Sequence, residues 1–161
     1  LKTTHAHQLA ASLVFYSPLQ TIFWYDKPSF YHGEPEMEWF ENLQTVFDDT
    51  KVLDGAPGKN ITMARRKGQE WFVAAMTNNE GSEEEIPLTF LDKEKNYLAC
   101  IYTDGGEKIK TSTQVKCTYL LVNASQTMQF QLKPSGGAAI RLVPIDRQEM
   151  KKYKKYKGER L

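Results

Sequence analysis

Apolar positions along this chain follow two periods. Between residues 3 and 16 they recur three and four apart, with Ala6, Leu9, Ala10 and Leu13 on one face. Thr4 stands where its hydroxyl can cap the amino end, and Pro18 stops the run. A helix is expected over residues 3–16. About three turns of helix are marginal in water and need a partner surface. Because the following sequence is strand-like, this helix reads as the last one of a larger domain whose other parts are missing. A second short helix is expected from Pro35, with Glu36 and Glu38 favouring its positive end and Met37, Phe40 and Leu43 or Trp39 giving its apolar side.

From Val46 to about Val143 the period drops to two. Eight strands are expected: 46–53, 60–66, 71–77, 84–90, 97–103, 115–122, 127–132 and 138–143. The seventh alternates most cleanly, with Met128, Phe130 and Leu132 on one face and Thr127, Gln129 and Gln131 on the other. Turns fall at Lys67-Gly68, residues 78–82, Asp104-Gly105-Gly106 and residues 134–137, and residues 106–114 read as a longer polar loop. Pro87 suits an edge strand. Short strands joined by short turns, with no helices between them, predict a mainly β fold. Its form is an antiparallel β-sandwich or barrel of about eight strands.

Between the first helix and the strands, residues 17–34 carry Phe23, Trp24, Tyr25, Phe30 and Tyr31. Aromatics at this density must be covered; packing between two structural blocks is the favoured reading over stacking on sugar rings. At 161 residues, the chain can bury a core without covalent staples. No apolar run approaches a membrane span, so none is expected. The chain lacks an initiator Met and a leader, and any targeting signal is expected upstream of Leu1.

The net charge of +1 hides an asymmetry. From Arg147 onward seven basic residues face two acidic ones, a net +5, so residues 1–146 are mildly acidic. This basic tail, residues 147–161 with Tyr153 and Tyr156, is expected to be a solvated extension, and no nucleic-acid partner is expected. Cys100 and Cys117 fall in separate expected strands, which leaves open a bridge or two buried thiols. The sequons at Asn60 and Asn123 would matter only in a eukaryotic secretory pathway.

Reactive constellations are sparse. No phosphate loop, nucleophile elbow or zinc-binding His pair occurs. His5 and His7, two apart on a helix, point in different directions, and His32 stands alone. Glu36, Glu38 and Glu41 suit a solvated helix face, while Asp48 and Asp49 point to opposite faces of a strand. Arg65, Arg66 and Lys67 are expected at an exposed hairpin tip.

Several segments, in order, nevertheless resemble one family. Thr3-Thr4-His5-Ala6-His7-Gln8-Leu9-Ala10, Ser17-Pro18-Leu19-Gln20 and Asp48-Asp49-Thr50-Lys51-Val52-Leu53 look like the closing portion of glycoside hydrolase family 97. The similarity continues through Ala64-Arg65-Arg66-Lys67-Gly68, Trp71-Phe72-Val73, Met76-Thr77, Phe90-Leu91-Asp92, Tyr102-Thr103-Asp104-Gly105 and Gly136-Gly137-Ala138-Ala139-Ile140.

The resemblance implies an enzyme with a catalytic (β/α)₈ barrel followed by a carboxy-terminal β-sandwich. On that pattern residues 1–45 close the barrel, with residues 3–16 as its last helix packing on barrel strands. Residues 46–146 are the sandwich and 147–161 the tail. The family's catalytic glutamate, its second carboxylate and its calcium-binding glutamates match no position here. The chain is therefore expected to hold no catalytic, cofactor-binding or metal residue and to be inactive alone. Calcium is expected in the full-length parent, an α-glucosidase or α-galactosidase in the periplasm or secreted.

Two roles follow for the chain itself. One is structural support of its own catalytic barrel, with a homo-oligomer as further partner. The other is a carbohydrate-binding sandwich with a weakly bound sugar, which would need exposed coplanar aromatics. Trp71, Phe72, Tyr97, Tyr102, Tyr119 and Phe130 are mostly accounted for by a two-sheet core, so the structural role is preferred. The unpartnered helix is also expected to drive self-association or to dock back on the sandwich.

Overall fold

The computed structural model describes residues 2–15, 17–22, 24 and 27–161; Phe23 and Tyr25, two of the connector aromatics, lie outside the described residues. The first helix, α1, spans His5–Val14, and its cap is the expected one: Thr4 Oγ1 accepts the His7 N–H at 3.1 Å. At its other end Phe15 N–H closes on the Ala11 carbonyl, and Arg65 Nε donates to the Leu13 carbonyl at 3.0 Å. A buried guanidinium thus satisfies one of the carbonyls that a helix leaves without an internal partner. The second helix, α2, is Met37–Asn42.

All eight expected strands form. They are β1 (Asp49–Ala56), β2 (Asn60–Lys67), β3 (Glu70–Thr77), β4 (Ser82–Pro87), β5 (Asn96–Asp104), β6 (Val115–Asn123), β7 (Thr127–Leu132) and β8 (Gly137–Ile145), followed by a ninth, β9, at Lys154–Lys155. The larger sheet runs β1-β2-β3-β8-β5-β6-β9 and is antiparallel except where β9 joins β6 in parallel. The smaller sheet is the antiparallel pair β4-β7. Pro87 ends β4, which pairs with one neighbour only, as an edge proline requires.

Side-chain alternation sorts the large sheet's two faces. Trp71, Val73 and Ala75 of β3, Ile140 and Leu142 of β8, and Tyr97, Ala99 and Ile101 of β5 face Ile86, Met128, Phe130 and Leu132 of the small sheet. Phe72, Ala74, Ala139, Cys100 and Tyr102 face the other way, onto Leu9, Ala10, Leu13 and Trp39 of the two helices. The molecule is therefore three layers, helices on sheet on sheet, with β3 and β8 covered on both faces. Between the sheets Glu84 is buried, accepting from Thr62 Oγ1 at 3.0 Å, Asn60 Nδ2 at 2.9 Å and Ser82 Oγ at 2.6 Å. A carboxylate so supplied with donors locks β4 over β2, its oxygens satisfied by three hydrogen bonds.

The helix layer corrects the expectation of an unpartnered helix and matches that of docking back on the sandwich: the apolar stripe Ala6, Leu9, Ala10 and Leu13 packs on the sandwich's own outer face. Small residues make this fit. A Cβ on Gly137 would lie 2.8 Å from His7 Cα and 3.2 Å from the Ala6 carbonyl oxygen, so only glycine lets α1 sit this close to β8. Thr4 N–H donates to the Ser135 carbonyl at 3.1 Å, and His7 Nδ1 lies 3.0 Å from the Gly136 carbonyl oxygen.

The basic tail is a second correction, since it is not a solvated extension. Tyr156 is buried among Leu120, Val122 and Met128, its N–H on the Leu121 carbonyl and its hydroxyl accepting the Gln129 N–H at 2.9 Å. Arg160 forks onto Glu83 at 2.8 and 3.2 Å, and Leu161 exchanges backbone bonds with Gln129 and Gln131. The tail's lysines stay exposed while its backbone is tied to both sheets.

Candidate functional site

The face of α1 turned away from the sheet carries His5, Gln8 and Ser12, with Phe15 just past its end. With Leu19, Gln20, Ile22, Trp24 and Phe40 it walls a groove of about 370 Å³. Its floor is tied down by short polar links: Trp39 Nε1 donates to Ser12 Oγ at 2.9 Å, Ser12 Oγ to the Leu9 carbonyl at 2.6 Å, and Gln20 Nε2 to the Ser12 carbonyl at 2.8 Å. Trp24 stands edge-on between the His5 ring, 5.2 Å away, and the Phe40 ring, 5.0 Å away. Burial holds the His5 imidazole below the usual histidine range, against the opposing pull of the Glu36 carboxylate.

Beyond the end of α1 the surface is apolar. Phe15 is 71% exposed, Leu19 84% and Ile22 43%, values uncommon for residues that cluster in one short segment. On the other side of Phe15 a wider trough of about 640 Å³ lies against the turn 55–61 and residues 76–78. Phe15 is the ridge between the two hollows. Three exposed apolar side chains lining one groove are what an association or interdomain surface offers.

The acidic residues of the connector and α2 anchor the helix layer. Glu36 is fully buried and accepts from Thr113 Oγ1, while its second oxygen has no hydrogen-bond partner among the described residues. Glu34, also buried, accepts from the His32 N–H at 2.8 Å and from Ser112 Oγ at 3.3 Å. Glu38 accepts from the Tyr119 hydroxyl at 2.9 Å and lies 3.8 Å from Arg141, which is bidentate on Glu70. The solvated-face expectation is thus overturned for Glu36, while Glu38 stays partly exposed; spacing in sequence gave no sign that Thr113 folds over Glu36.

Arg65 departs likewise from its expected hairpin tip. It is 8% exposed and spans from the α1 carboxyl end to Thr50 Oγ1, with the Phe47 ring 5.7 Å from its guanidinium carbon. Arg66 and Lys67 do lie near the tip, around Asp48, whose carboxyl is held below its ordinary range by the Gly68 N–H at 2.7 Å. Cys100 and Cys117 are free thiols, both pushed up to about 12 by burial. Their strand partners are Tyr119 and Tyr102, so the cysteines are diagonal rather than opposite, a spacing wider than disulfides favour.

No sugar platform is found on the strands among the described residues. Trp71, Tyr97 and Phe130 are inside the two-sheet core, Phe72 and Tyr102 lie under the helices, and Tyr119 is half-exposed with its hydroxyl taken by Glu38. No group of three or more His, Cys, Asp or Glu that could hold a metal occurs among the described residues. Among the described residues, no helix is long and apolar enough to cross a membrane.

A β-sandwich with its own helix layer and an exposed apolar seam defines a class, an accessory domain built to abut other protein. Residues 46–143 match the family described as glycosyl-hydrolase 97 C-terminal, oligomerisation, and the chain belongs to it. It is 34% identical over 86% of its length to a retaining alpha-galactosidase of Bacteroides thetaiotaomicron, and 25% identical over 83% to a probable retaining alpha-galactosidase of Streptomyces bingchenggensis. These matches cover 21% and 20% of the two relatives, so the chain spans about a fifth of their length. Among solved structures it resembles a glycoside hydrolase family 97 enzyme in complex with acarbose from Pseudoalteromonas sp. strain K8. The TM-score is 0.79 at 33% identity, covering 90% of this chain and 23% of that one.

Proposed function

We propose that this chain is the non-catalytic carboxy-terminal part of a retaining α-glycosidase, with α-galactosides as the favoured substrate class of the whole protein. Two relatives, one named a retaining alpha-galactosidase and the other a probable one, support the substrate choice over α-glucosides. In this reading α1 is a seam. One face belongs to the sandwich, and the other, with the connector, meets the catalytic barrel, of which α1 is the last helix in sequence. Chemistry and any calcium belong to the barrel and the part of the protein before it, and the protein acts in the periplasm or outside the cell.

The observation that carries the proposal is the exposed run Phe15, Leu19 and Ile22 beside a groove on an otherwise well-packed domain. Apolar area in contact with water costs about 25 cal/mol per Å², so a cluster of this size favours a covered state. In the isolated chain a second copy is the available cover, in keeping with a family named for oligomerisation. Light scattering across a concentration series tests this. Mass should rise with concentration, and Phe15→Ser with Leu19→Ser should hold the chain at one protomer. A wild-type chain that stays monomeric at high concentration, or association indifferent to both substitutions, overturns the reading.

A further inference from the structure

The tail lies outside the stretch that defines the family, yet it is seated more firmly than most terminal segments. Without it the large sheet would end at β6, in the run Cys117-Thr118-Tyr119-Leu120-Leu121-Val122. Six residues rich in β-formers, with no charge and no proline, are the signature of an edge that recruits other strands. The small sheet has a matching open side at β7.

The tail covers both. Lys154 and Lys155 pair with Leu120 and Leu121, the Tyr156 side chain fills the opening between the sheets, Arg160 reaches Glu83 of β4 and Gln131 of β7, and Leu161 joins β7 through Gln129 and Gln131. Its charge is laid over this apolar edge: Lys151, Lys152, Lys154, Lys155 and Lys157 all face solvent. Lysine on an edge strand repels a second identical edge. The connection, residues 146–152, is held mainly by local bonds to Asp146, from the Gln148, Glu149 and Met150 N–H groups.

We infer that residues 153–161 are an intramolecular edge cap, and that the groove between β6 and β7 is a strand-accepting surface. Uncapped, it pairs with the β6 edge of a second copy. This surface is separate from the Phe15 seam, since it opens on the far strands of the sandwich and uses none of its residues.

The test compares the full chain with one ending at Asp146 by sedimentation velocity at equal concentrations, both carrying Phe15→Ser and Leu19→Ser to silence the seam. The shortened chain should at least double its mass as concentration rises. A synthetic peptide of residues 148–161 added in excess should return it to the mass of the full chain. Thermal melting checks that it folds. Should it not fold, the full-length chain with Tyr156→Ala and Arg160→Ala takes its place. That variant should show faster amide exchange at Leu121 and Gln131 and the same concentration-dependent mass. A folded, shortened chain that remains monomeric, or association that the peptide leaves unchanged, overturns the inference. So does a Tyr156, Arg160 variant with neither faster exchange nor added mass.

Discussion

Replacing Gly137 by alanine asks whether α1 is truly seated on the sandwich. The added methyl would lie 2.8 Å from His7 Cα, 2.9 Å from the Ala75 carbonyl oxygen and 3.2 Å from that of Ala6, all backbone atoms with no rotamer to change. Ordinary contact needs about 3.5 Å or more, so the helix must lift by roughly half an ångström or more along its first turns. Ala6, Leu9 and Ala10, all fully buried, lose packing together. Overpacking of this kind costs about 1–3 kcal/mol, and the reduced entropy of the unfolded chain returns about 0.4–1 kcal/mol. The net expectation is a loss of about 1–2 kcal/mol, or roughly 2–8 °C in Tm for a domain of this size. Urea unfolding followed by tryptophan fluorescence reads it. Gly55→Ala is the control: its Cβ would sit 3.6 Å from the nearest atom, and the change should fall within about 0.5 kcal/mol. Equal stability of Gly137→Ala and the native chain would refute the docking of α1 on β8.

Other consequences follow from single contacts. Leu13→Ala, on the same buried face, should cost about 2–5 kcal/mol by urea unfolding, whereas Glu41→Ala, exposed on α2, should be neutral. Glu84→Ala leaves Thr62, Asn60 and Ser82 donors without their carboxylate and should destabilise by about 2–3 kcal/mol, while Glu84→Gln should recover part of the loss. The His5 imidazole titrates lower in the folded chain than in the unfolded one, so the unfolded state binds the proton first as pH falls. Its contribution to stability is present above about pH 6.5 and lost as pH drops below it, and His5→Phe should flatten that part of a Tm-against-pH profile. With both cysteine thiols pushed up to about 12, an aromatic disulfide reagent at pH 8 should label the native chain slowly and label both thiols after unfolding.

The strands were legible because each carries its period and its turn locally; Met128, Phe130 and Leu132 alternate into the core as the pattern predicts. Where they pair was not legible, since β3 meets β8 across more than sixty residues and sequence period carries no such partner. The helix's apolar stripe was plain, but its partner was hidden in Gly137, Ala139 and Ala74, residues that announce themselves by having little side chain. Arg65 and Glu36 were misplaced for a common reason. Charged residues look solvated in one dimension, and only the fold supplies the Leu13 carbonyl and the Thr113 hydroxyl that make their burial tolerable. The tail misled in the same way, its lysines advertising solvent while Tyr156 and the backbone did the binding.

Amide hydrogen exchange along a concentration series tests the central claim most directly, because it reads which face is covered as chains meet. The account predicts growing protection across residues 15–22 and the exposed side of α1, with the covered faces of β3 and β8 unchanged at every concentration. Protection that grows on the strands while residues 15–22 stay open, or no change at all, would contradict it.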